Sequence, residues 1–443
     1  MKKSPKTKTR SAALYERALK TLPGGVSRNT LFRQPHPAYV ADASGCRVVD
    51  IEGVERIDFA NNMASLIHGH ADPDIVAAVS EQILHGSAHM MATEVEIEFA
   101  EHLCSRCESL EKLRFVNSGT EAVMVMLKAA RAFTGRPKIA KVEGAYHGTY
   151  DFAEVSQTAN PTNWGPEDAP SSVPVAHGTP ASVLESVIVL PCNDPERAIS
   201  LLEPHRDDIA CVILDPMPHR VGLSPTDPEF VQTIREWTQG HGALLVFDEV
   251  ITFRTEYGGF QERYDVRPDL TALGKIIGGG FPVGAIAGRS DVMDVMNHRA
   301  SKTLFPHSGT FSANPVTMTA GLTAMHKFDR EAVARLNHLA LRAVKGIRSA
   351  LEDTGVPGCV TGAGSMFRVH FRPEPPRNRR EAHRTPEQDR YLEIMLDHLF
   401  EAGFLVINTC TASLSTAMAE DEVDALVDAM AEGFEKLRRV ASR

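Results

Sequence analysis

The run Ala243-Leu244-Leu245-Val246-Phe247-Asp248-Glu249 decides how the fold is read. Five apolar residues without a polar break suit one strand and are too few for a helix, so the run predicts a strand covered on both faces. Two carboxylates then end it abruptly. Short runs of the same kind lie at 113–116, 138–142, 186–190, 210–214, 270–273 and 283–287, most with a polar turn and a helical stretch behind them. That spacing predicts βαβ units and a mainly parallel sheet, an α/β fold. In such sheets ligands bind beyond the carboxyl ends of the strands. Chemistry is therefore expected at Asn117-Ser118-Gly119-Thr120, Glu143-Gly144-Ala145-Tyr146-His147, Asp215-Pro216, Asp248-Glu249 and Gly274-Lys275.

Outward from this centre the pattern thins. The first 65 residues hold an amphipathic helix at 12–22, a Pro-Gly-Gly stop at 23–25 and strand-like alternation at 47–59, and read as an appendage. The segment 373–389 is rich in Pro and Arg and separates a strand at 365–371 from a last helical region. Its arginines Arg377, Arg379, Arg380 and Arg384 are expected on an exposed, solvated loop. No internal repeat or low-complexity tract is present.

Composition narrows the class. At roughly 150 residues per domain, 443 residues give two to three domains. With 43% hydrophobic and 23% charged residues the chain is globular. Its 57 acidic and 47 basic side chains, net −10, argue against nucleic acid or an anionic membrane held by bulk electrostatics. No apolar run approaches the roughly 18 residues of a membrane span, and the basic start Met1-Lys2-Lys3-Ser4-Pro5-Lys6 has no hydrophobic stretch behind it. Seven scattered cysteines, an odd number, fit a reducing compartment, so a soluble cytoplasmic protein is expected.

Asn117-Ser118-Gly119-Thr120-Glu121 follows a predicted strand and opens a helical stretch at 122–133. Unspent N–H groups at a helix start, two hydroxyls and a glycine that permits close approach suit a phosphate. An ordinary N-cap uses the same residue types, and the spacing alone does not choose. Asp248 at the mouth of a central strand needs a partner, because a buried lone charge is costly. A ligand with a protonated ring nitrogen and a structural ion pair both answer that need.

Lys275 lies between the 270–274 run and Ile276-Ile277-Gly278-Gly279-Gly280. Apolar surroundings lower an amine pKa from about 10.4, as a Schiff-base nucleophile requires. A phosphate-binding lysine or a surface charge are the alternatives. There is no G-x-x-x-x-G-K-[ST], and the glycines at 278, 279, 280 and 284 miss the G-x-G-x-x-G spacing. Cys104-Ser105-Arg106-Cys107 and His68-Gly69-His70 lack the further ligands of a zinc site, so structural roles and no metal are expected.

Taken together these segments resemble the fold-type I pyridoxal-phosphate enzymes, and among them the class III aminotransferase family. The subgroup is the one with glutamate-1-semialdehyde aminomutases and β-amino-acid aminotransferases. Seven motifs carry the resemblance, in the family's order and over nearly the whole chain: Pro23-Gly24-Gly25-Val26-Ser27-Arg28, Gly69-His70-Ala71-Asp72-Pro73, Asn117-Ser118-Gly119-Thr120-Glu121-Ala122, Tyr146-His147-Gly148, Phe247-Asp248-Glu249-Val250, Leu273-Gly274-Lys275-Ile276-Ile277-Gly278-Gly279-Gly280 and His307-Ser308-Gly309-Thr310-Phe311. The resemblance implies a large cofactor-binding domain at 66–320 on a mainly parallel seven-stranded sheet. A small α+β domain would form from the segments 1–65 and 321–443.

It further implies a pyridoxal 5′-phosphate-dependent transaminase. Lys275 would bond the cofactor covalently and shuttle the proton between Cα and C4′; Asp248 would pair with the ring nitrogen so that the ring accepts electrons. Ser118, Gly119 and Thr120 would hold the phosphate, with Thr310 reaching in from the partner of a homodimer. Tyr146 would stack on one ring face and Val250 pack on the other, with His147 also in the cofactor site. Arg28 would clamp the substrate carboxylate, and Ser65 belongs to the stretch Asn62-Met63-Ala64-Ser65-Leu66 that would line the pocket. The chain departs from the family's pattern at Asp215-Pro216, where Glu-Pro is common, and at Pro218-His219-Arg220, where small or amide residues are usual. The loop 408–418 also lacks the arginine that some β-phenylalanine aminotransferases carry.

The implied activity is ping-pong amino transfer between an α- or β-amino acid donor and a keto acid or aldehyde acceptor, both small molecules. Its rival is a glutamate-1-semialdehyde-type aminomutase, which needs no separate acceptor. A non-catalytic binding protein on the same fold is disfavoured by the intact Lys275, Asp248 and Tyr146. The missing glycine fingerprint disfavours a nicotinamide dehydrogenase.

Overall fold

The computed structural model describes residues 9–441; the basic start at 1–6 lies outside them. A helix at Arg10–Ala18 opens the described chain, with Thr9 as its N-cap. It stops four residues short of the predicted end, because Pro23 forces Leu22 into extended backbone and a 3-10 turn follows at Pro23–Gly25. The alternation at 47–59 is two strands rather than one. After β1 (Val40–Ser44), β2 (Arg47–Asp50) and β3 (Glu55–Asp58) pair antiparallel. Asp50 Oδ1 accepts from the N–H groups of Glu52 and Val54 and so closes the turn between them.

Each of the seven predicted runs is a strand of one sheet: β4 (Lys112–Val116), β5 (Lys138–Val142), β6 (Val187–Leu190), β7 (Ile209–Leu214), β8 (Leu244–Asp248), β9 (Leu270–Gly274) and β10 (Gly284–Gly288). Their order is β4-β10-β9-β8-β7-β5-β6. The pairs from β9 to β6 are parallel, whereas β10 runs antiparallel to both β9 and β4. Length explains the exception. Residues 275–283 between β9 and β10 are fewer than the dozen or so a parallel crossover needs, so the chain turns straight back. β7, β8, β9 and β10 are buried along their full length, which is why they read as mainly apolar runs, broken inside only by Thr271 of β9. The helix Gly119–Thr134 covers them with Ala122, Val123, Met126 and Ala130, and ends at Gly135 in the left-handed region.

The C-terminal strands are β11 (Cys359–Ala363), β12 (Met366–His370), β13 (Phe404–Leu405) and β14 (Thr411–Ser413). β13 adds parallel to β3, so the two ends of the chain share a sheet, while β11, β12 and β14 form another. The helices Arg330–Thr354, Pro386–Glu401 and Glu420–Ala441 close over them around Leu336, Ile347, Met395, Leu426 and Phe434.

The arginine-rich loop is not the free, solvated segment its composition predicts. Arg380 donates to both oxygens of Glu143, at 3.0 and 3.2 Å, and to the carbonyls of Trp164, Gly165 and Pro166. Arg379 lays its stem over Gly144 and donates twice to the Ala159 carbonyl. Only Arg377, with Asp227, and Arg384, with Asp389, make exposed pairs. The loop is held across the turn that carries Tyr146, and its charge is spent on long-range contacts that composition does not show.

Residues Asn61–Ala64 adopt a left-handed turn, with φ of 45, 49, 59 and 64°. Each such L-residue costs about 1–2 kcal/mol, asparagine less. The surroundings impose it: Asp58 Oδ1 accepts from the N–H of Ala60 and Asn61, Asn61 Nδ2 reaches the Ser413 carbonyl, and the buried Arg254 donates to the Ala64 carbonyl. Met63→Gly is therefore expected to raise stability by about 0.5–1 kcal/mol in urea unfolding. A lowered midpoint would show that the turn is not strained.

Candidate active site

The register of the sheet brings the site together. Asp248 ends β8 opposite Ala272, and Lys275 lies three residues beyond Ala272, just past the end of β9, so the two share one edge. Asp248 is buried; its Oδ1 accepts from the Val250 N–H at 3.1 Å and its Oδ2 faces His147 Nδ1 at 2.8 Å. Burial holds the His147 imidazole below its ordinary pKa, against the pull of Asp248. A neutral ring beside a carboxylate carries its proton on Nδ1 and donates it, leaving Nε2 as a buried acceptor without a partner. No lysine or arginine forms an ion pair with Asp248 among the described residues.

Lys275 is held at φ 49° by the tight turn. Burial lowers its ammonium below the ordinary lysine range, opposed by Asp248 and then Asp215. Asp215, at the end of β7, is buried and its Oδ1 accepts from the Met217 N–H. Burial first, then the nearby Asp248, raise its carboxyl well above the usual range.

At the start of the 119–134 helix, Ser118 Oγ accepts from the Glu121 N–H and Glu121 reaches back to the Asn117 N–H. The N-cap expected from the sequence is thus present, and it leaves the N–H groups of Gly119 and Thr120 unspent. The cradle is tight: a Cβ on Gly119 would lie 2.8 Å from Val250 Cγ1, and one on Gly148, at φ 87°, would lie 2.5 Å from Thr120 Oγ1. Tyr146 stands 40% exposed at the mouth. Behind it the buried Lys141 donates to the carbonyls of Ala145 and Val155 and fixes the turn; burial first, then Arg220, pulls that amine down to about 7.

The structure therefore gathers Ser118, Gly119, Thr120, Tyr146, His147, Asp248, Val250 and Lys275. Arg28 and Ser65 meet through Asn62, whose Oδ1 accepts from Arg28 Nη1 at 2.7 Å and whose Nδ2 donates to Ser65 Oγ at 3.1 Å. Thr310 is exposed, next to the exposed Phe311, and its neighbour Gly309 comes close to Asn117, whose Nδ2 would lie 3.7 Å from a Cβ built there. His68 and His70 are tied to Thr416, the Ala324 carbonyl and Asp58, as structural histidines are. Asn62 as a partner of Arg28, the Lys141 anchor and the buried Arg254 are not legible in the sequence. Each gains its meaning from contacts distant in the chain, and no local pattern marks them.

These groups fit pyridoxal phosphate. The unspent N–H groups and hydroxyls at 118–120 suit its phosphate, Asp248 suits its ring nitrogen, and the open face of Tyr146 and the Val250 side chain suit the two faces of its ring. A lysine with a lowered pKa completes the set. Fold and site together define a fold-type I pyridoxal-phosphate enzyme. Comparison narrows this: the chain belongs to the class III aminotransferase family, whose model, "Aminotransferase class-III", matches residues 32–436. It is 36% identical over 435 residues to a glutamate-1-semialdehyde 2,1-aminomutase of Methanothermobacter thermautotrophicus, covering 97% of this chain and 100% of that one. Among solved structures it is similar to an omega-transaminase from Sphaerobacter thermophilus, at 47% identity and TM-score 0.94, covering 97% of this chain and 98% of that one. A transaminase with PLP bound matches at 38% identity and TM-score 0.89, over 98% of this chain and 99% of the other.

Proposed function

We propose that this enzyme is an aminotransferase that moves an amino group from an α- or β-amino acid to a separate keto acid or aldehyde. The observation that carries this reading is the buried Lys275 at the same strand edge as Asp248, which has no lysine or arginine ion pair among the described residues. Pyridoxal phosphate, when bound, supplies an electron sink for the electrons released at the amine-bearing carbon. Lys275 Nζ takes the proton from that carbon and returns it. Asp248 keeps a negative charge beside the ring nitrogen, and His147 holds its carboxylate in place. Tyr146 and Val250 fix the ring plane, and the 118–120 turn anchors the phosphate. The donor's keto product leaves before the acceptor enters, so the order is ping-pong.

Homodimerisation is part of the proposal, with Thr310 of each chain completing the other's phosphate site. The exposed Met90, Met91, Leu304 and Phe311 supply apolar surface for such a contact. The seven free thiols are consistent with a cytoplasmic setting.

The second reading is an intramolecular aminomutase, favoured by the name of the Methanothermobacter relative. The two differ in what they need. With an amino donor in excess, sustained product formation is expected only when a carbonyl acceptor is added, one product per acceptor consumed. Amine migration within one molecule, without acceptor, would support the aminomutase instead.

Arg28 is taken as the carboxylate clamp and Asn62 as the residue that aims it. Asn62→Ala is expected to raise KM for carboxylated donors about three- to tenfold, the size of one ordinary hydrogen bond lost from the group that aims Arg28. KM for the same amines lacking the carboxylate is expected to stay unchanged. Equal shifts for both would reduce Asn62 to a structural role.

A further inference from the structure

β12 and the residues just after it present two faces of opposite character. Phe367, Val369 and Phe371 belong to the core, and the alternate residues Arg368, His370 and Arg372 line a narrow cavity together with Glu381 and Arg384 of the 373–389 segment and with Thr409. The space suits one group of about the size of a water molecule. None of these residues is among those gathered for the cofactor.

The charge around this cavity is not balanced. Arg384 is matched by Asp389. Arg368 and Arg372 form no ion pair among the described residues: Arg368 donates to the His219 carbonyl at 3.1 Å and Arg372 to the Glu381 carbonyl, and in both the Nε is buried without a partner. The Glu381 carboxylate is taken up by the Arg377 N–H and by Asn378. Arg368 is only 4% exposed, and burial first, then Arg384, pull its guanidinium down to about 10. His370 adds no charge: its ring meets the Gly222 carbonyl and Thr361, and burial first, then Arg368, push it down to about 3.

A guanidinium withdrawn from water recovers that loss only through acceptors, and a charged acceptor recovers the most. A water molecule in the cavity would satisfy the free Nε–H donors but leave the charge of both guanidiniums uncompensated. A monatomic anion answers both needs.

We propose that Arg368 and Arg372 form a halide site, occupied by chloride, that joins β12 to the 373–389 segment. An ion held there fastens the segment whose Arg379 and Arg380 grip the turn before Tyr146. The site takes no part in amino transfer and stands independently of that reading.

The test uses the holoenzyme, whose phosphate cradle is filled, in sodium chloride and in sodium gluconate of equal ionic strength; gluconate is too large for the cavity. Chloride is expected to raise the thermal midpoint by about 1–3 °C, saturably, above its value in gluconate. Arg372→Gln is expected to lose that rise while being at least as stable as wild type in gluconate, because one of the unbalanced cations is gone. Crystals soaked in sodium bromide are expected to show an anomalous peak between Arg368 and Arg372. Equal midpoints of wild type in the two salts overturn the proposal without any variant. A full chloride rise in Arg372→Gln places the ion elsewhere and overturns it too. A bromide peak without the solution effect marks an adventitious ion only, and a cavity without a peak holds water; either result refutes the site.

Discussion

Lys275→Ala is expected to lower the rate of amino transfer by at least about 10⁴-fold while the protein still folds. The size follows from two roles lost together: covalent attachment of the cofactor and acid–base work at the substrate carbon, the latter alone being worth 10²- to 10⁴-fold. Folding should survive, because the Lys275 side chain forms no hydrogen bond or ion pair among the described residues and its truncation removes a cation that burial already disfavours. Single-turnover mixing with donor, followed by the visible band, measures the loss. Turnover within tenfold of wild type would remove Lys275 from the chemistry.

Asp248→Asn carries the second large effect. Replacing a buried carboxylate by a neutral amide removes the charge that keeps a ring nitrogen protonated, and removal of one such electrostatic partner typically slows a reaction by 10²- to 10³-fold. The geometry can survive the change. The amide oxygen still accepts from the Val250 N–H, and His147, neutral and with a free Nε2, can move its proton there and accept the amide N–H at Nδ1. The variant is therefore expected to fold, to bind cofactor and to break the substrate C–H bond slowly, with an enlarged deuterium isotope effect at that carbon. Wild-type rates in the variant would count against an electronic role for Asp248.

The parts of the site that the sequence made legible share one property: their meaning is local. Asp248 and Lys275 end apolar runs, and the helix start at Ser118 follows directly on a strand, so period and position suffice to place them. The antiparallel return of β10 was also written locally, in the shortness of 275–283, though the strand pattern alone hides it. Other features answer to contacts across the fold. Arg380 meets Glu143 over 237 residues, and composition marks it only as part of a charged loop. The left-handed turn at Asn61–Ala64 runs against the preference of its own residues. It is imposed by Asp58, Ser413 and Arg254, so tertiary structure overrides local propensity at the place where substrate residues meet. Arg28 reads as a turn arginine until Asn62, 34 residues away, is seen to hold it.

The central claim, that Lys275 and Asp248 serve amino transfer on pyridoxal phosphate, is tested most directly by the visible absorbance of the purified holoenzyme. α-Amino, β-amino and ω-amino donors are added one at a time, with no acceptor present. One donor class is expected to abolish the yellow band in an amount matching the enzyme, and a keto acid added afterwards to restore it. A protein that develops no band with pyridoxal phosphate, or whose band survives every donor, would contradict the account and leave a non-catalytic protein on a transaminase fold.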